Sequence, residues 1–300
     1  ERGFPARRSS RLRCAGGYDS EVGRFLSVDP MAGDYAIWSP FSYTFDNPIR
    51  FVDLDGREPE DIVYFNRQGK EIHRIKSNTI FKTYVAKQDG ITGINAGLLS
   101  KYQESSIHHK FFIEAVMPNV ITERTQSGED VQGPEYQANG YQIAASTYLT
   151  NEELNSGNMI VANTSGDIIG QSNLKNVPNI TPTMVKAWSM QESHAGVGGS
   201  ILQVNNPGDF TPDKTALGIA DGATFSPHEE INLAIRYAMG KGFSVTSVNY
   251  SDNGKTVNRT YRWNGWLAAL KGYNGNGVPG YEKYINTMIN ESKPGTSKNY

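Results

Sequence analysis

From about residue 141 onward, apolar positions recur at helical intervals. Residues 141–154 carry Ile143, Ala144, Thr147 and Tyr148 near helical spacing and predict one helix. Thr181 followed by Pro182 supplies an N-cap and a proline at the first helical position, opening a helix to about Ser193. Ser226-Pro227-His228-Glu229 has the form of a capping box. Ile231, Ala234, Ile235, Ala238 and Met239 then mark one face, and Gly240 stands where it would close the helix. Residues 243–250 and 257–263 flank Asn253-Gly254, the turn chemistry of a β-hairpin. Residues 266–273 and 281–289 predict two further helices.

The first part of the chain is patterned differently. Asp29-Pro30, Ser39-Pro40, Asn47-Pro48 and Asp55-Gly56 punctuate short apolar pieces at 25–26, 41–45 and 49–52 that suit strands. Residues 62–65 and 71–75 flank Gln68-Gly69 as a second hairpin, and the polar, glycine-containing stretch 127–134 reads as a linker. The expectation is an α+β, mainly helical protein with pieces at 1–59, 60–133 and 134–300, the middle one an intermediate segment of unclear role.

Composition narrows the function classes. Lys and Arg number 29 against 31 Asp and Glu, which argues against a strongly basic nucleic-acid binder. No run approaches the ~18 apolar residues of a membrane helix, so no membrane span is expected. The start, Glu1-Arg2-Gly3-Phe4-Pro5, lacks both Met and the apolar core of a secretory signal, so a fragment of a longer chain is expected. The single cysteine, Cys14, leaves no internal disulfide, CxxC pair or Cys-rich zinc site. His108-His109 has no acidic or Cys partner at ligand spacing, and neither metal nor organic cofactor is expected. Basic residues up to position 69 are all Arg, whereas Lys dominates from Lys70 onward, a break that suggests a junction between pieces of different origin.

The run Tyr18-Asp19-Ser20-Glu21-Val22-Gly23-Arg24-Phe25-Leu26-Ser27-Val28-Asp29-Pro30 resembles the terminal signature of the rearrangement-hotspot (Rhs) repeat core. Trp38-Ser39-Pro40-Phe41-Ser42-Tyr43 and Asn47-Pro48-Ile49-Arg50-Phe51-Val52-Asp53-Leu54-Asp55-Gly56 continue it. The resemblance implies a remnant of a β-shell that encloses a toxic C-terminal domain, with the variable effector beginning after Gly56. Some Rhs proteins release that domain through two Asp-Pro-x-Gly motifs. The matching positions read Asp29-Pro30-Met31-Ala32 and Asp53-Leu54-Asp55-Gly56, which argues against self-cleavage here.

Within the helical half, Val185, Trp188 and Glu192 fall at i, i+3 and i+7, on one stripe of the 182–193 helix. A carboxylate on the inward stripe, near a helix C-terminus, has its pKa pushed upward by burial and by the dipole. That suits an acid that stays protonated near neutrality and donates to a leaving oxygen. Spacing alone leaves a helix-end Glu paired with a Lys equally open. Gln191-Glu192-Ser193 and Gly199-Ser200-Ile201-Leu202-Gln203-Val204 resemble the Glu-Ser and Gly-Leu-Met-Gln-Val motifs of lysozyme-like lytic transglycosylases. Residues 231–242 resemble the family's next helix, and Leu267-Ala268-Ala269-Leu270 with Tyr273-Asn274-Gly275 its Ala-Tyr-Asn-Gly segment.

This second resemblance, over about 134–300, implies a lysozyme-like effector domain in which Glu192 is the catalytic acid/base. Ser193, Gln203, Asn205, Tyr273 and Asn274 would bind substrate, with Tyr273 facing Glu192. Trp263 and Trp266 are further aromatics, for which core packing is the simpler role. Asp209, in the loop after Gln203, is the candidate second acid of a hydrolase. Together the resemblances imply a secreted antibacterial toxin, a muramidase or lytic transglycosylase that cuts peptidoglycan glycan strands. A secretion machine, such as type VI, would deliver it to the periplasm of a target bacterium, and a cognate immunity protein would plug its cleft. The alternative is a non-catalytic glycan-binding module at the end of an Rhs shell.

Overall fold

The computed structural model describes residues 61–76, 82–94, 110–119, 121, 139–193, 200–204, 212–220, 222–251, 256–275 and 277–292, with the short strands at 18–19, 24–25, 123–124 and 130–131. These are mixed α+β, 43% helix and 22% strand, so helix is the larger share as the periodicity predicts. The chain divides into two compact units, one of residues 1–61, 76–81 and 297–300 and one of 62–75 and 82–296. In the first, β1 (Tyr18–Asp19) and β2 (Arg24–Phe25) pair antiparallel, Tyr18 opposite Phe25. The strands expected at 41–45 and 49–52, and His108-His109, lie outside the described residues.

The second unit begins as a four-stranded sheet in the order β4-β3-β5-β6: β3 (Asp61–Phe65), β4 (Glu71–Lys76), β5 (Lys82–Ala86) and β6 (Phe112–Ala115). β3 runs parallel to β5, and β5 antiparallel to β6. Every residue of β3 is buried, and its apolar run at 62–65 suits a central strand. The expected hairpin at Gln68-Gly69 forms. Asn66 Oδ1 accepts from Gln68 N (3.0 Å) and Lys70 N (2.9 Å), an Asx turn. Gly69 sits at φ +67°, where a Cβ would also overlap the His228 ring. β7 (Glu123–Arg124) and β8 (Asp130–Val131) pair antiparallel, so part of the stretch read as a linker closes a small ribbon.

α1 (Gly140–Ser156) matches the expected helix and ends at Gly157, whose N–H reaches the Leu154 carbonyl at φ +76°. It is buried nearly all round because it is covered twice. On the sheet side, Gln142 donates to the Gly69 carbonyl (3.1 Å), Arg67 pairs with Glu152, and the Arg74 guanidinium lies 5.3 Å over the Tyr141 ring. Thus the 60–133 segment, of unclear role in the sequence, supplies a sheet to the unit that holds the helices.

α2 (Gln171–Leu174) precedes α3 (Pro182–Ser193), whose first turn is capped by Thr181 Oγ1 accepting from Met184 N (3.2 Å). α4 (Pro212–Ala216) is a single turn and a bit. α5 (Pro227–Lys241) has the full capping box: Ser226 Oγ accepts from Glu229 N (3.3 Å), and Glu229 Oε2 from Ser226 N (2.8 Å). It is tied to the sheet-bound helix α1 by hydrogen bonds from Asn232 to Thr150 and Glu153, and by the Arg236–Glu153 ion pair. Gly240 does not close α5, contrary to the sequence expectation. The helix continues to Lys241, and Gly240 is needed because a Cβ there would overlap the Ala162 carbonyl oxygen.

β9 (Phe243–Ser251) and β10 (Thr256–Trp263) form the expected hairpin, Phe243 opposite Trp263, with a bulge at Thr260/Tyr261. α6 (Trp266–Asn274) and α7 (Tyr281–Glu291) complete the chain of elements. Their apolar faces meet those of α1, α3 and α5 in one core containing Ile143, Trp188, Leu202, Ile235, Leu270 and Ile285. Among the described residues no helix is long and apolar enough to cross a membrane. No group of three His, Cys, Asp or Glu that could hold a metal occurs among them either.

Candidate active site

α3 turns Val185 and Trp188 fully into the core, and the same stripe delivers Glu192 to the edge of it. There a cavity of about 530 Å³ opens, lined by Glu192, Gln203, Val204, Tyr273, Asn274 and Gly275 on one side. Thr164, Lys214, Tyr237, Lys241 and Gly272 complete it. Burial pushes the Glu192 carboxyl above its ordinary value, and a hydrogen bond from the Tyr281 hydroxyl to Oε1 pulls partly back. Burial, then the neighbouring Glu192 charge, drives the Tyr281 hydroxyl far up, so it remains a donor. It holds one oxygen of the carboxyl, Oε1.

The aromatic floor is built edge to face. Tyr273 packs on Trp188 at 4.8 Å and 84°, and Tyr237 on Tyr273 at 5.5 Å and 80°. The Lys241 and Lys214 ammonium groups lie 4.4 and 5.7 Å from the Tyr237 ring centroid, giving the cavity two cations. The Gln203 side chain donates to the Glu192 carbonyl (2.8 Å), tying the 200–203 segment to the end of α3.

Of the residues singled out from sequence, Glu192, Gln203, Tyr273 and Asn274 line one cavity. Ser193 is buried beneath it and donates to the Ile201 carbonyl (2.6 Å). The Tyr273 hydroxyl donates to the Leu202 carbonyl (2.6 Å), and the carboxyl's phenol partner is Tyr281. Both polar atoms of the Asn274 side chain are bonded to the Val278 backbone (3.0 and 3.1 Å), closing the turn before α7. Asn205 and Asp209 lie outside the described residues. Trp263 and Trp266 pack against each other at 5.2 Å under the hairpin, and Trp266 donates to the Pro178 carbonyl (2.8 Å). Among the described lining residues Glu192 is the one carboxyl group.

Comparison of the chain with protein-family models, with curated proteins and with solved structures finds no match.

Sequence reasoning missed Tyr281, Tyr237, Lys214 and Lys241. A signal existed for Tyr281: with Ile285 it makes an i, i+4 pair, the buried stripe of α7. What the site can do follows from its chemistry. A half-buried carboxyl with a raised pKa, one oxygen held by a phenol and the residue lining a cavity, can give a proton to an oxygen placed within hydrogen-bond reach and later take one back.

Proposed function

We propose that the helical half is a lysozyme-like effector that cleaves peptidoglycan glycan strands, with Glu192 as general acid and then general base. The observation that carries it is Glu192 itself: a carboxyl raised by burial, at the end of a core helix, opening on a cavity with an aromatic and amide lining. The order of its parts supports the lysozyme-like reading: acid at the end of α3, a Gln-bearing segment, the long helix α5, and a Tyr-Asn-Gly at the end of α6.

In this mechanism the protonated Glu192 donates to the glycosidic oxygen as the C1–O bond breaks and positive charge develops on the sugar. The resulting carboxylate then accepts the proton of the attacking hydroxyl. If that hydroxyl belongs to the substrate, the product is an anhydro-sugar; if it is water, a reducing end. The likeness of the Gln203 segment and of Tyr273-Asn274-Gly275 to lytic transglycosylases favours attack by the substrate's own hydroxyl. Tyr281 steadies Oε1 throughout, and Tyr237, Tyr273 and Gln203 present ring faces and an amide to the saccharide. The Rhs-like run at 18–56 supports delivery as a toxin, by a secretion machine, to a target periplasm, with an immunity protein as the natural antagonist.

The test pairs lysis with binding. Wild-type protein should clear a peptidoglycan suspension, and folded Glu192→Gln should sediment with peptidoglycan without clearing it. Sedimentation without clearing by both proteins would leave a glycan-binding module instead.

A further inference from the structure

We propose that Glu230 is a positioning residue of this site, whose carboxylate folds the 200–203 segment and thereby sets the Gln203 side chain beside Glu192. The inference rests on the reading of Glu192 as the acid.

Glu230 lies in the first turn of α5, just after the capping-box Glu229, and is 8% exposed. An ionised carboxylate at such a place is costly unless its oxygens are bonded. Here four donors from one segment converge on it. Oε1 accepts from the Ser200 hydroxyl, from Leu202 N (2.7 Å) and from Gln203 N (3.0 Å), and Oε2 accepts from Ile201 N (3.1 Å). Three successive backbone N–H groups aimed at one anion form a nest, and the anion is supplied by the protein's own helix. Ser200 Oγ closes the turn by accepting from Gln203 N as well (3.0 Å).

The grip has a consequence for the cavity. Gln203 adopts φ +53°, a left-handed conformation that is unfavourable for a non-glycine residue. In that conformation its carboxamide reaches the Glu192 carbonyl and lines the cavity. The carbonyl side of the same segment is held by site residues, Ser193 on Ile201 and Tyr273 on Leu202. Glu230 therefore secures the N–H side of a segment whose other side belongs to the catalytic machinery, while touching no substrate-facing atom itself.

Kinetics on soluble peptidoglycan strands test this. Glu230→Gln puts an amide donor where N–H donors converge, and should lower kcat by about 10- to 100-fold with KM changed less than about twofold. The alkaline limb of the pH profile should stay in place, since it belongs to Glu192. In a Gln203→Ala background the same change should cost less than about twofold, because the side chain it positions is gone. Ser200→Ala, which removes one donor of the four, should lower kcat in the same direction by less, and decides the matter through the same cycle if Glu230→Gln does not fold. Wild-type kcat in a folded variant, or an undiminished loss in the Gln203→Ala background, would overturn the positioning role. Wild-type protein that leaves the strands intact would instead overturn the reading of Glu192. Glu230 is then judged by amide hydrogen exchange, where Glu230→Gln must speed exchange at Ile201, Leu202 and Gln203, and unchanged rates there would overturn the grip.

Discussion

Glu192 carries a stability cost as well as its proposed function. Its folded pKa lies above its unfolded value, so the protonated form is the one the fold favours. Stability from this group is full below the ordinary carboxyl range and is lost as pH rises through the raised value. Glu192→Gln should therefore lower lysis by about 10²–10⁴ while raising Tm at pH 7. A folded variant with retained lysis would remove Glu192 from the mechanism. Tyr281→Phe removes the hydrogen bond that pulls the Glu192 pKa down, so the alkaline limb of the activity profile should move to higher pH. A limb that moves down or stays would contradict the contact. Lys186 is a separate case: it is 4% exposed, its Nζ has no partner among the described residues, and burial drops it to about 7. A base depressed by folding makes stability rise with pH between the folded value and the ordinary one. Lys186→Met should flatten that rise and stabilise the protein at pH 7, by up to roughly 4 kcal/mol at about 1.4 kcal/mol per pKa unit. Urea unfolding at pH 7 and pH 10 checks it, and an unstabilised variant at pH 7 would contradict the burial argument. Glu192 was legible because i, i+3, i+7 spacing is local. Tyr281 as its partner was not, since the pair spans 89 residues and depends on how α7 lies against α3.

At the scale of elements, the starts of helices were easier to read than their ends. Thr181-Pro182 and Ser226-Pro227-His228-Glu229 act through bonds within one turn, and both caps form where the residues stand. The end of α5 was misplaced because a glycine after an apolar stripe is the usual sign of a C-terminus. Gly240 answers to a different constraint, the backbone of Ala162 passing too close for a Cβ. An ordinary helical Gly→Ala change gains about 1 kcal/mol. Gly240→Ala should reverse that sign and destabilise by at least as much in denaturant unfolding. A stabilised variant would show that the approach is looser than described. The hairpin of β9 and β10 was legible from Asn253-Gly254, but the packing of Phe243, Tyr261 and Trp263 onto the helical core was not.

Across the whole second unit, the largest gap between pattern and structure is the sheet. β3 pairs in parallel with β5 across an intervening strand, and β6 joins from further along the chain; no local period announces such partners. The sheet then covers α1, whose Tyr141 and Ser146 are buried although the helix needs only one apolar stripe to join the core. Residues 134–300 alone should consequently keep the cavity, which draws no residue from the sheet, yet unfold at a lower Tm than residues 60–300. Equal Tm values would mean that the sheet adds no cover that α1 needs. The account as a whole stands on one chemical event, proton donation by Glu192 to a glycosidic oxygen. Mass spectrometry of the material released from purified peptidoglycan reads that event directly, with wild type, Glu192→Gln and Asp209→Asn run side by side. The account predicts muropeptides with anhydro-sugar ends from wild type and from Asp209→Asn, and none from folded Glu192→Gln. Release of the same muropeptides by Glu192→Gln would contradict it.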